Sequence, residues 1–164
     1  MDFELTKSQK EIQKAAREFA RGEFDKELAL ELDRKHEFPT QIWKKACDLG
    51  FVGVHFPEEY SGQDLGVLEN IIIADEFCAR DSGIGSAIIL SSFASECILR
   101  FGSDELKQKY LPPVAEGQML SGGAFTEPGH GSDITSLDTT AVRDGDEWAG
   151  AADERPVDGR VRGP

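Results

Sequence analysis

Apolar residues recur at helical spacing through roughly the first 115 positions and lose that spacing afterwards. Thr6-Lys7-Ser8-Gln9 has the form of a capping box, whose side chains satisfy the first free amides of a helix. Ile12, Ala15, Ala16, Phe19 and Ala20 follow on one face, which predicts a first helix from about Lys7 to Leu32. Phe38-Pro39-Thr40 opens a second, short helix bearing Ile42, Trp43 and Ala46 and stopped by Gly50, with Trp43 read as a core residue. Pro57 to Gly66 is rich in turn formers. Leu65, Leu68, Ile71, Ile72, Ile73 and Phe77 then occupy nearly every side of a third helix, which predicts a central element enclosed by others. Ile84, Ala87, Ile88, Ser91, Ala94, Ile98 and Phe101 form the stripe of a fourth, ended by Gly102. Ser103 caps a fifth, whose Leu106, Tyr110 and Val114 are expected to point inward and whose last turn Pro112 and Pro113 weaken.

From Met119 the chain turns to Gly, Ser, Thr and β-branched residues. Thr139-Thr140-Ala141-Val142-Arg143, an Asp144-Gly145 turn and Glu147-Trp148 read as a hairpin that begins a sheet. After Trp148 two valines are the only sizeable apolar residues and no alternation remains, so this stretch is expected to be disordered. The fold class is therefore an all-α N-terminal domain followed by an incomplete β domain and a disordered tail. The expected domains are residues 1–117, 118–148 and 149–164.

Composition narrows the partners. In 164 residues, 31 acidic side chains against 18 basic ones leave a net charge of -13, which argues against nucleic acid or an anionic membrane as partner. The longest uninterrupted apolar runs, Ile71-Ile72-Ile73-Ala74 and Ala87-Ile88-Ile89-Leu90, are far shorter than a membrane span, so no membrane insertion is expected. Met1-Asp2-Phe3-Glu4-Leu5 has no basic segment before an apolar one, which predicts a cytoplasmic protein. Cys47, Cys78 and Cys97 lie in apolar helical patterns and are read as buried, reduced thiols.

The chemistry concentrates in Thr126-Glu127-Pro128-Gly129-His130-Gly131-Ser132-Asp133, which follows the apolar run Leu120-Ser121-Gly122-Gly123-Ala124-Phe125. Gly129 and Gly131 permit positive φ and let main-chain N–H groups converge, and the Thr126 and Ser132 hydroxyls add uncharged donors. Such a loop suits a phosphate or a flavin edge. The spacing alone is equally that of a solvated turn, because the segment lacks both the Gly-Lys-Ser/Thr of a P-loop and a full G-x-G-x-x-G. Asp133 reads as a loop cap and Glu127 as a turn or salt-bridge residue. His130 has no Cys or second His near it in sequence, so it is read as a solvent-facing loop residue and no metal site is expected. His36 and His55 carry no assignment, and the adjacent Glu58-Glu59 pair would diverge.

Thr-Glu-Pro-x-x-Gly-Ser-Asp after a Gly-rich apolar strand resembles the flavin-binding signature of the acyl-CoA dehydrogenase family. Two further stretches are similar to that family: Phe51-Val52-Gly53-Val54-His55-Phe56-Pro57-Glu58-Glu59-Tyr60-Ser61-Gly62, and Phe101-Gly102-Ser103-Asp104-Glu105-Leu106-Lys107-Gln108-Lys109-Tyr110-Leu111-Pro112. The resemblance covers Met1 to about Trp148. Phe125 stands where a smaller aliphatic residue is usual and His130 where a small one is. The resemblance implies FAD as cofactor, bound by Gly123, Ala124, Phe125, Thr126, Gly131 and Ser132, with Ser132 also meeting an acyl-CoA substrate. It implies α,β-dehydrogenation of that thioester and an electron-transfer flavoprotein as acceptor. It also implies a homo-oligomer at full length. The family's base is a Glu of a C-terminal helical domain that has no counterpart here, so no catalytic residue is assigned and the fragment is expected to be inactive alone. The missing second flavin-facing strand points to a shifted or rearranged gene end. The alternatives are an acyl-CoA oxidase or flavin monooxygenase of the same fold, or a non-catalytic helical module that binds acyl-CoA or another subunit.

Overall fold

The computed structural model describes residues 4–145 and 147–151, the last five in backbone alone. It divides into two compact units, Met1–Gly123 and Ala124–Pro164. Among the described residues the first unit holds seven α-helices: α1 Lys7–Glu23, α2 Lys26–Lys35, α3 Thr40–Asp48, α4 Val67–Arg80, α5 Ser82–Ile89, α6 Ser95–Phe101 and α7 Asp104–Ala115. The chain is mostly helical, as its periodicity predicts.

The capping box forms as read: Gln9 N–H donates to Thr6 Oγ1 at 3.2 Å, and Thr6 N–H to Gln9 Oε1 at 2.9 Å. The expected single helix to Leu32, however, is two. Phe24 leaves helical geometry at φ -91 and ψ 91, and Asp25 caps α2 by accepting from Leu28 N–H at 3.0 Å. Gly22 weakens the last turn of α1, and an aspartate gains more at a cap than in a helix interior. The α2 segment buries no residue, whereas α1 buries Ala16 and Ala20.

Phe77 of α4, fully buried, lies 5.4 Å from the rings of Phe19 and Phe51 and 5.3 Å from that of Phe24, centroid to centroid. This cluster ties α1 and the connection after α3 to α4. A polar seam runs beside it: Arg17 forks Glu76 with N–H donations of 2.8 and 2.6 Å, and Gln9 Nε2 donates to Glu69 Oε1 at 2.8 Å. The Arg17 hydrogen bond holds the Glu76 carboxyl below its usual range, against the opposing pull of burial. Gly85 allows α5 its close approach, since a Cβ there would sit 2.8 Å from the Phe77 carbonyl carbon. The expected enclosure of α4 is not complete. Val67, Leu68 and Ile71 are 58%, 49% and 56% exposed, so one apolar flank is uncovered by the described residues.

The predicted fourth helix is also interrupted. The chain tightens into a 3-10 turn at Leu90–Ser92 and resumes as α6. Ser91 is the reason: its hydroxyl donates to Ile88 O at 2.6 Å and accepts from Trp43 Nε1 at 3.0 Å, which satisfies the buried indole. The backbone at the break turns to a distant partner, with Ser121 N–H donating to Ser91 O at 2.8 Å and Ala94 N–H to Ser121 O at 3.3 Å. Ser82–Phe101 as a whole is long and apolar enough to cross a membrane by length and composition, although its uninterrupted apolar runs are short. The two cross-bonds tie it to Ser121 at Ser91 and Ala94, while Leu90, Phe93 and Phe101 stay exposed. In α7, Ser103 caps as expected by accepting from Leu106 N–H at 3.3 Å, but Leu106 is 45% exposed and Leu111 is fully buried in its place. Val114 is buried and Tyr110 half-buried as expected, so the departure from the predicted stripe is at Leu106.

The thiols split three ways: Cys47 is buried, Cys78 half-buried and Cys97 exposed, so the expectation of uniform burial fails at α6. Desolvation pushes the Cys47 thiol up to about 12, and it stays neutral at physiological pH.

In the second unit, β1 Thr140–Asp144 pairs antiparallel with β2 Glu147–Ala151, in register from Thr140↔Ala151 to Asp144↔Glu147, with Gly145 at φ +61 in the turn. The hairpin is the one predicted, but β2 runs past Trp148. Ala149, Gly150 and Ala151, assigned to a disordered tail, take part in the ladder, because backbone pairing needs no apolar side chain. The rest of that tail, residues 152–164, lies outside the described residues.

Phe77→Ala removes the ring shared by three aromatic contacts and should cost about 3–5 kcal/mol of unfolding free energy, read from the urea midpoint at constant slope. A loss under about 1 kcal/mol would show that the cluster does not organise the unit.

Candidate functional site

The loop between the helical unit and the hairpin is folded by its own side chains. Glu127 and His130 exchange backbone bonds of 3.0 and 3.1 Å across Pro128-Gly129, closing a tight turn. The Glu127 carboxylate then reaches along the chain, accepting from the Asp138 N–H at 2.7 Å, the Thr139 N–H at 2.9 Å and the Thr139 hydroxyl. These bonds hold its carboxyl below the usual carboxylate range, the Thr139 hydroxyl contributing most. Asp133 caps the next turn, accepting from the Thr135 and Ser136 hydroxyls at 2.6 Å each, and it too is shifted down, chiefly by Ser136. Both acids are therefore braces, as their sequence context predicts.

The cofactor-binding residues expected from sequence stand as follows. Gly123 closes the first unit. Ala124, Thr126, Gly131 and Ser132 are exposed and Phe125 is half-buried. Thr126, Gly131 and Ser132 have no hydrogen-bond partner among the described residues, so their amides and the two hydroxyls remain available as donors. Neither Gly129 nor Gly131 adopts positive φ, contrary to the conformational role expected of them. What they supply is space: a Cβ built at either meets nothing within 4 Å, so a ligand can approach the main chain closely. Free donors on open backbone fit a phosphate or a flavin edge.

Sequence reasoning missed the surroundings of His130. The imidazole is half-buried, not turned freely to solvent, and its Nε2 lies 3.2 Å from Asp138 Oδ2. Glu127, His130 and Asp138 bring ligand-type atoms within 4.8 Å of one another. The signal was the Glu127-x-x-His130 spacing across a Pro-Gly turn. Asp138 joins only because Glu127 draws its backbone in.

A family model for the acyl-CoA dehydrogenase N-terminal domain matches residues 6–118. The chain belongs to the acyl-CoA dehydrogenase family. It is 38% identical over 144 residues to an acryloyl-CoA reductase (NADH) of Anaerotignum propionicum, covering 88% of this chain and 36% of that protein. The glutaryl-coenzyme A dehydrogenase in complex with glutaryl-CoA superposes with a TM-score of 0.82 at 30% identity, over 93% of this chain and 40% of that one. An acyl-CoA dehydrogenase of Bacillus anthracis, solved with FAD, superposes at 0.69 and 34% identity, over 84% and 24%. The chain thus spans well under half the length of these relatives.

The lowered Glu127 carboxyl gives a pH dependence of definite sign. Its stabilisation of the loop is present above the ordinary carboxylate value, about 4.3, and is lost as pH falls through the lower folded value. Hydrogen-exchange protection of the Asp138 and Thr139 amides should hold from neutrality into mild acid and collapse below that range. In Glu127→Gln it should be weak at neutral pH. Equal protection in the variant would remove Glu127 from the loop's support.

Proposed function

We propose that this chain supplies the helical domain and flavin-facing loop of an FAD-dependent acyl-CoA dehydrogenase. The observation that carries the reading is the set of donors at Thr126, Gly131 and Ser132 that have no partner among the described residues, lying in the segment that bears the family's signature. In it, Thr126 and the backbone from Gly123 to Phe125 follow the flavin ring edge. The Gly131 N–H and Ser132 hydroxyl meet the cofactor's phosphate region, with Ser132 also facing the acyl-CoA. Bound FAD would take the β-hydrogen of the thioester as hydride. The chain's own part is to hold and orient that ring, using main-chain dipoles because its net charge of -13 repels a polyanion.

Proton abstraction from the α-carbon falls to a carboxylate outside this chain. Glu127 does not qualify, since the bonds it accepts from Thr139 and Asp138 hold its carboxyl below the usual range and make it a weak proton acceptor. On this reading the chain alone binds FAD weakly and does not turn over, and the full-length protein oligomerises and passes electrons to an electron-transfer flavoprotein. A second reading, favoured by the 38% identity to an acryloyl-CoA reductase, runs the same carbon–carbon chemistry in the reducing direction.

The test uses a version of the protein extended to the length of its relatives. Ser132→Ala should weaken FAD or acyl-CoA binding by roughly ten- to a hundredfold, the loss of one charge-assisted hydrogen bond. Glu127→Gln should leave single-turnover flavin bleaching by acyl-CoA largely intact. Unchanged binding in Ser132→Ala together with abolished bleaching in Glu127→Gln would invert this division of roles. Faster flavin reoxidation by an enoyl-CoA than reduction by its saturated partner would favour the reductase.

A further inference from the structure

We infer that Glu127, His130 and Asp138 form a binding site for a divalent transition-metal ion, Zn2+ foremost, on the loop that follows the helical unit. The donor set is one imidazole nitrogen and two carboxylates, a combination taken by zinc and its neighbours in preference to magnesium or calcium, which favour oxygen alone. One atom from each residue lies within 4.8 Å of the others. Metal–ligand bonds of about 2.0–2.2 Å place tetrahedral ligands about 3.4 Å apart, and the His130 Nε2 to Asp138 Oδ2 separation of 3.2 Å is already near that value. Glu127 Oε2 accepts the Asp138 N–H and keeps a second lone pair for the ion.

The backbone holds this arrangement without help from an ion. The paired Glu127–His130 bridge sets two of the ligands side by side, and the amides of Asp138 and Thr139 fix the Glu127 carboxylate, as outer partners do for metal-bound carboxylates. Asp138 is 75% exposed on its side chain and His130 27%, so an ion has a path from solvent. The local charge favours a cation. Residues 124–145 carry Glu127, Asp133, Asp138 and Asp144 against Arg143 alone, and a divalent cation cancels most of that excess. His130 stands where the family signature usually has a small residue, so the site belongs to this chain's departure from the signature.

The inference does not depend on the flavin reading, and its test contains no flavin. The purified chain is stripped of metal, then titrated with Co2+ by optical absorption and with Zn2+ by calorimetry. The expected result is one ion per chain, with binding weakened at least about tenfold in both His130→Ala and Asp138→Asn and unchanged in Glu59→Gln, an acid outside the loop. Absence of saturable binding at millimolar metal overturns the inference. So does equal binding in all three variants, which would mean diffuse attraction to an acidic surface. If a variant fails to fold, proton NMR of the unaltered chain decides: Co2+ should shift the ring signals of His130 ahead of those of His36 and His55, and equal shifts of all three refute the site.

Discussion

The helical unit depends on burying one phenylalanine. Phe77 sits in the last turn of α4 with no exposure, and the rings of Phe19, Phe24 and Phe51 all close on it at 5.3 to 5.4 Å. Edge-on and tilted aromatic contacts of this kind add about 0.5–1.5 kcal/mol each beyond the area they bury. Their larger effect is topological, because they draw together the end of α1, the turn after α3 and the last turn of α4. The Arg17–Glu76 fork then fixes the register between α1 and α4. A carboxylate so nearly buried is tolerated only with its partner, so the fork lends specificity more than net stability.

A second junction ties down the end of the helical unit. Ser91 breaks the helical run between α5 and α6, caps the Trp43 indole and receives the backbone of Ser121. One residue thus joins the α3 core and the helix break through its hydroxyl, and the segment that ends at Gly123 through its main-chain carbonyl. Beyond it the loop relies on hydrogen bonds from Glu127 and Asp133, not on apolar burial. Such a loop is ordered yet keeps its outward donors at Thr126, Gly131 and Ser132 open. The same economy brings His130 and Asp138 together beside Glu127.

Periodicity along the chain determined that the first 115 residues are helical and where the strongest caps fall, since Thr6, Ser103 and the Asp144-Gly145 turn act through neighbours three or four residues away. It also placed the candidate flavin loop, because glycines and hydroxyls in a fixed local order can be read without knowing what surrounds them. The breaks at Phe24 and Ser91 were less legible. Each is a competition between helix continuation and a side-chain bond, and at Ser91 the deciding partners are 48 and 30 positions away. Which apolar positions are covered was likewise beyond reach of the pattern: Leu106 and Leu111 have equal claims by composition, and only packing exposed the first and buried the second. The grouping of Glu127, His130 and Asp138 needed the fold as well, for Asp138 stands eight residues from His130 and is brought to it by backbone bonds to a third side chain. Local order fixes what residues separated by a turn of chain will do. Contact between distant residues is set by how the whole chain closes on its core.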